Sequence, residues 1–146
     1  MKMITKEWIR DYVKDNFKHI TRENITTVLE KHNIKVKKTL KKDEMIKLLN
    51  TNKIDLFEFI DFLGFTRKDL KDIFFATDKM IKKMQDTEFI KIKKTLRVEV
   101  PSAFGKVDMY LYDIETIYKI TMQKYDKWLK ENNYIKIVLQ KVKNNI

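Results

Sequence analysis

Two glycines and one proline are all the backbone punctuation that a chain of 146 residues receives. Boundaries between elements must therefore be read from helix caps and from changes in hydrophobic period. Thr5 is placed to cap a first helix running to about Phe17, in which Trp8, Ile9, Tyr12 and Val13 recur at helical spacing. Thr21 opens a second helix carrying Ile25, Val28 and Leu29. Helical period lapses over 33–42, where Lys35, Lys37, Lys38, Lys41 and Lys42 occur without an acid, and resumes over 43–49 with Met45, Ile46, Leu48 and Leu49. Residues 54–63 read as a fourth helix with Leu56, Phe59, Ile60 and Leu63 inward. Asp55, Glu58 and Asp61 fall on another face, and Gly64 stands where a left-handed C-terminal residue belongs.

The pattern sharpens from Phe65 onward. Thr66 and Asp69 form a capping-box pair ahead of Leu70, Ile73 and Phe74, a three-residue break follows at 75–77, and Thr77 caps a short helix over 78–85 with Met80, Ile81 and Met84 apolar. Past Asp86 the period switches to two: Phe89, Ile90 and Ile92, then Leu96, Val98 and Val100 alternating with Arg97 and Glu99. The proline and the second glycine fall together in 101–106, a loop, and 107–112 alternates again, which predicts a hairpin. Asp113 caps a long final helix to about Asn132, with Ile114, Ile117, Tyr118, Thr121, Tyr125, Trp128 and Leu129 on one stripe. Residues 134–142 read as a last short strand or a helix. The expected fold is mainly α, of the α+β class. A small helical module occupies 1–64; residues 65–146 hold a helix-turn-helix, a β-hairpin wing and a long C-terminal helix.

Composition narrows the function classes. With 43% hydrophobic and 12% aromatic residues the chain lies outside the disordered class. The absence of cysteine removes disulfides, thiolate catalysis and cysteine-ligated metals. The N-terminus becomes charged at once, and no window approaches the ~20 apolar residues of a membrane span, so a cytoplasmic protein without membrane partners is expected. Net charge is +11, but Lys supplies 28 of the 32 basic residues, beside 18 Ile and only two Ala. That skew matches AT-rich coding, which raises pI in any protein, and suits a phage or plasmid of a low-GC Gram-positive host. Placement of charge therefore matters more than its total. It is spread evenly, +4 over 1–64, +4 over 65–112 and +3 over 113–146, without a basic tail.

The order helix, tight turn, helix, hairpin, helix across 65–132 is the winged helix-turn-helix plan. With Leu70, Ile73, Ala76, Ile81 and Met84 at its packing positions and Tyr110 to Ile117 after the hairpin, the segment resembles excisionase-like and MerR-like winged domains. It differs from them at Lys71, where a small residue is usual, and at Phe75, where glycine usually makes the turn. The resemblance implies that the second helix enters the major groove of double-stranded DNA while the hairpin reaches the backbone or minor groove. Its DNA contacts would be Arg67, Lys68, Thr77, Lys79, Lys82 and Lys83, with Lys93, Lys94, Arg97 and Lys106 from the wing. Asp78 would repel phosphate unless it reads a cytosine amine or caps the helix. Residues 21–50 more weakly resemble the helix-extended-loop-helix modules of the SAP and Rho N-terminal kind, which implies secondary phosphate contacts from Lys35, Lys37, Lys38, Lys41 and Lys42.

Catalysis finds little support. His19 and His32 lack metal-ligand spacing, Ser102 has no nearby His, and two glycines do not make a phosphate-cradling loop. Asp55, Glu58 and Asp61 read as the wet face of a helix sooner than as metal ligands, and Trp8, Tyr12, Trp128 and Tyr134 as core sooner than as base-stacking platforms. No cofactor and no metal are expected. Two readings stand. One is a non-enzymatic DNA-binding regulator or architectural factor. The other is a mobile-element protein that inhibits a host protein, supported by Asp55, Glu58, Asp61, Asp69 and Asp72 as an acidic set that mimics nucleic acid. The length of the final helix also leaves a homodimer open.

Overall fold

A computed structural model describes residues 1–99 and 106–144, the side chains of Glu99 and Lys106 excepted. The expected wing loop, with Pro101, Ser102 and Gly105, lies outside the described residues. Among those described, the chain is mainly helical with one two-stranded antiparallel sheet. No described helix is long and apolar enough to cross a membrane. The chain divides into two compact units, Thr5–Leu63 and Met1–Ile4 together with Gly64–Ile146.

In the Thr5–Leu63 unit, caps set the helix starts. Thr5 Oγ1 accepts the Trp8 amide to begin α1 (Lys6–Asp15), and Thr21 with Asn24 completes a capping box at α2 (Arg22–Lys31). Then α3 (Lys42–Thr51) follows the non-helical 33–41 stretch. Ile9, Val13, Ile25, Val28, Leu29, Met45 and Leu49 are buried, and their spacing along the three helices is what turns these stripes inward. Residues 54–63 depart from expectation: they form a 3₁₀ segment, Leu56–Phe62, and not an α-helix. Asp55 caps the amide only two residues ahead, Phe57, which tightens the entry, and three phenylalanines within seven residues are weak helix formers. Gly64 is not left-handed either. A Cβ there would lie 2.7 Å from Leu111 Cβ and 3.2 Å from the Tyr112 carbonyl oxygen, so glycine serves close backbone approach.

In the second unit, α4 (Arg67–Phe74) begins from the Thr66–Asp69 capping box and ends at Phe75, which is left-handed at φ 53°, ψ 44°. Ala76 is buried, Thr77 caps α5 (Asp78–Asp86), and the strands β1 (Ile92–Glu99) and β2 (Lys106–Tyr112) follow. The register pairs Thr95 with Tyr110, Leu96 with Met109, Arg97 with Asp108 and Glu99 with Lys106. A bulge at Lys93 lies between the Ile92–Tyr112 and Lys94–Leu111 pairs. It sets Ile92 on the opposite face from Leu96 and Val98, although all three positions are even-numbered. Phe65 pairs with Tyr112 through two backbone hydrogen bonds of 2.8 and 2.9 Å, tying the α4 entry to the sheet.

The single long helix expected from Asp113 to Asn132 is two: α6 (Ile114–Tyr118) and α7 (Met122–Glu131). Thr121 is the reason. Its hydroxyl accepts the Lys124 amide at 3.1 Å, an N-cap that requires extended backbone where a continuous helix would need helical φ and ψ. The tail is helical, α8 (Ile135–Asn144), which resolves the strand-or-helix alternative. Tyr125, Trp128 and Leu129 of α7 are buried within their own unit. Tyr125 donates its hydroxyl hydrogen to the Phe74 carbonyl, and Trp128 lies stacked between Phe89 and Tyr134 at 5.4 and 5.7 Å.

Candidate functional site

Met80, Ile81 and Met84 anchor one side of α5 at zero exposure, which fixes the direction of the other side. That other side carries Asp78, Lys79, Lys82, Lys83 and Asp86, all exposed. Lys79, Lys82 and Lys83 make no hydrogen bond or ion pair through their side chains among the described residues, and neither does Lys68 on the first turn of α4. Asp78 does have partners: Lys71 Nζ lies 3.2 Å and Arg67 Nη1 3.9 Å from its carboxylate oxygens. The acid is thus neutralised from α4 and, one residue past the cap, also favoured by the helix dipole. Arg67 is correspondingly less available than its place in the sequence implies. Thr77 is half-buried and its Oγ1 accepts the Met80 amide at 3.2 Å, so its oxygen is engaged as a cap.

The hairpin holds its expected basic residues differently. Lys93 Nζ lies 3.9 Å from Asp113, and Arg97 stands across from Asp108 in the register. Lys106 opens β2 across from Glu99. Arg97 and Lys106 thus each have an acidic residue as register partner, and Lys93 has one nearby. Lys94 is the expected wing residue on the strands that is exposed with no acid opposite, facing Leu111. The Tyr112 hydroxyl links the hairpin to α5, donating to Gln85 Oε1 at 3.0 Å.

In the Thr5–Leu63 unit, Arg22 organises the basic loop. Its guanidinium donates to the carbonyl oxygens of Leu40 at 2.8 Å and of Lys37 and Lys38 at 2.9 Å. The loop backbone is held inward while Lys35, Lys37, Lys38 and Lys41 stay exposed. Lys42 behaves differently. Its ammonium donates to the Phe17 carbonyl at 3.4 Å and lies 5.9 Å from the Phe17 ring centroid, an internal cation–π contact.

The carboxylates of 55–61 do not converge. Asp55 accepts two hydrogen bonds from Arg10, at 2.8 and 3.0 Å, and this guanidinium pairing holds its carboxyl down at about 2. Glu58 receives His32 Nε2 at 2.8 Å and Lys31 at 3.7 Å, while Asp61 is exposed. Among the described residues no three His, Asp or Glu side chains are placed to hold a metal. Trp8 and Tyr12 stack on each other at 5.9 Å.

Arg22 and the Lys71–Asp78 pair are absent from the residues singled out in the sequence. A signal for the first existed: in a chain with four arginines, Arg10 and Arg22 each sit where a forked cation is needed. Comparison of the chain with protein-family models, with curated proteins and with solved structures gives no match.

Proposed function

We propose that this chain is a non-enzymatic, double-stranded DNA-binding protein that lays α5 in the major groove, with α4 as its brace and the β1–β2 hairpin as a wing. The observation that carries the reading is the outward face of α5, where Lys79, Lys82 and Lys83 stand exposed and unpaired on a helix whose other side is fully buried. Such lysines neutralise phosphates, and those near the helix start reach acceptors on base edges. Lys68 and Lys94 extend the set, as do Lys35, Lys37, Lys38 and Lys41 on the separate N-terminal module, where tethering raises avidity. A small regulator or architectural factor of a phage or plasmid fits this arrangement. Charge reversal tests it: Lys82→Glu with Lys83→Glu abolishes retention on duplex DNA while leaving the thermal melt unchanged. Undiminished retention contradicts the placement of α5.

A second reading, a surface that occupies a host protein, draws on the hairpin. Its register pairs Arg97 with Asp108 and Glu99 with Lys106, and Val107 and Met109 are 39% and 37% exposed, which suits a protein surface better than phosphate. Absence of duplex binding at low salt favours this alternative.

A further inference from the structure

A third strand begins beside the hairpin and stops after one residue. The Phe65 amide donates to the Tyr112 carbonyl at 2.9 Å and the Tyr112 amide to the Phe65 carbonyl at 2.8 Å, and then Thr66 caps α4 and the chain leaves the sheet. Successive residues of a strand aim their N–H and C=O groups to opposite sides. Asp113, next after Tyr112, accordingly donates its amide toward the β1 side, to the Lys91 carbonyl at 2.9 Å. By the same alternation Tyr110 and Asp108 aim their backbone groups outward, as Tyr112 does. Among the described residues nothing pairs with them there. Two amides and two carbonyls of β2 thus form an open edge, a ready template for strand pairing.

Along this edge lies a cavity of about 480 Å³, bounded by Thr66, Arg67 and Lys68 at the start of α4 and by Val107, Met109 and Tyr110 of β2. Val107 and Met109 stand on one face of the sheet and Tyr110 on the other, so a cavity lined by all three follows the edge itself. Val107 and Met109 are exposed apolar side chains, and Lys68 is an exposed cation without a side-chain partner among the described residues. We infer that this edge takes an extended segment of a partner protein as an added antiparallel strand, with apolar side chains at alternate positions over Val107 and Met109 and an acidic one at Lys68. The segment continues the strand that Phe65 begins. A duplex does not fit the same edge, because phosphate accepts hydrogen bonds but donates none and would leave the Asp108 and Tyr110 carbonyls unpaired. A second copy offering its own β2 would bring the first turn of its α4 into the gap that α4 already bounds. The inference extends the reading of the hairpin as a protein surface and is independent of whether α5 meets DNA.

The test titrates the isotope-labelled full chain with the synthetic peptide Glu-Val-Thr-Val-Thr-Val-Glu, blocked at both ends, and follows backbone amide shifts by NMR. Saturable binding is expected, with the largest shifts at the Asp108 and Tyr110 amides. The peptide methylated on its Thr nitrogens, which face β2 when Val lies over Val107 and Met109, is expected to bind about tenfold more weakly than one methylated on its Val nitrogens. On the protein side, Asp108→Pro removes an outward amide that the β1–β2 ladder does not use, and is expected to weaken binding about tenfold relative to Asp108→Ala, which removes the same carboxylate. Lys68→Glu weakens binding of this peptide and not of its Gln-ended analogue. The methylated peptides keep the test decisive if the proline variant fails to fold. No saturable binding up to about 1 mM peptide, or shifts confined to residues away from β2, overturns the inference. Equal binding of the two methylated peptides overturns strand addition while leaving the hairpin as an apolar protein surface. Duplex retention that depends on Lys82 and Lys83 is untouched by either failure.

Discussion

Asn33, Lys53, Phe75, Glu88 and Asn133 have φ between 52° and 62°, and each stands at the C-terminal end of a helix. Left-handed backbone costs an L-residue with a side chain roughly 1 kcal/mol, so a chain nearly without glycine carries strain at each of these stops. Lys53→Gly and Glu88→Gly are therefore expected to stabilise by about 0.5–1 kcal/mol each, read as a higher melting temperature. Gly64→Ala should do the reverse, by about 1–3 kcal/mol, because the added methyl overlaps Leu111. Equal melting temperatures for all three would refute this account of the turns. Acid sensitivity also belongs to single residues. The Asp55 carboxyl, held at about 2 by Arg10 against an ordinary 3.8, favours the folded state above about pH 4 and loses that contribution as pH falls toward 2. Acid titration of the melt should show this limb, and Asp55→Asn should flatten it. The caps Thr5, Thr21, Thr66 and Thr77 were legible because a hydroxyl before an apolar repeat has one local use. The partners of Arg22 and Asp78 were not, since they lie 7 to 18 residues away or on another helix.

Element boundaries depended on which of two local preferences prevailed. Thr121 has apolar neighbours at i±4 spacing that suit a continuous helix, yet its hydroxyl turns the chain into a cap and splits the run into α6 and α7. The bulge at Lys93 likewise leaves no mark in the alternation, because it preserves the even-numbered apolar positions while changing the face they occupy. Such breaks are decided by tertiary packing. For α7 the contact that fixes it is the buried Tyr125 hydroxyl on the Phe74 carbonyl, the last residue of α4. Burial raises the Tyr125 pKa well above the usual phenol value, in keeping with a hydroxyl that remains a donor. Tyr125→Phe leaves that carbonyl unpaired and should cost about 1–3 kcal/mol. A loss near zero in a denaturant titration would mean that α7 is held by its aromatic stack alone.

At the scale of the molecule internal pairing leaves the net charge of +11 unchanged and decides which cations stay available at the surface. Arg10, Arg67, Lys71, Lys93 and Lys42 have intramolecular partners, and the exposed, unpaired remainder includes Lys79, Lys82 and Lys83 on one helix face. The sequence indicated the α+β class and the helix, turn, helix, hairpin order; it did not show that Arg97 falls across from Asp108 and Lys94 across from Leu111, because register depends on a bulge with no local signature. The claim that α5 docks on duplex DNA is tested most directly by fluorescence anisotropy of random-sequence duplex with the full chain, between about 50 and 200 mM salt. The account predicts log-linear weakening with a slope of several units, reduced by about two in Lys82→Gln with Lys83→Gln. Absence of binding at the lowest salt, or a slope untouched by that variant, would contradict it.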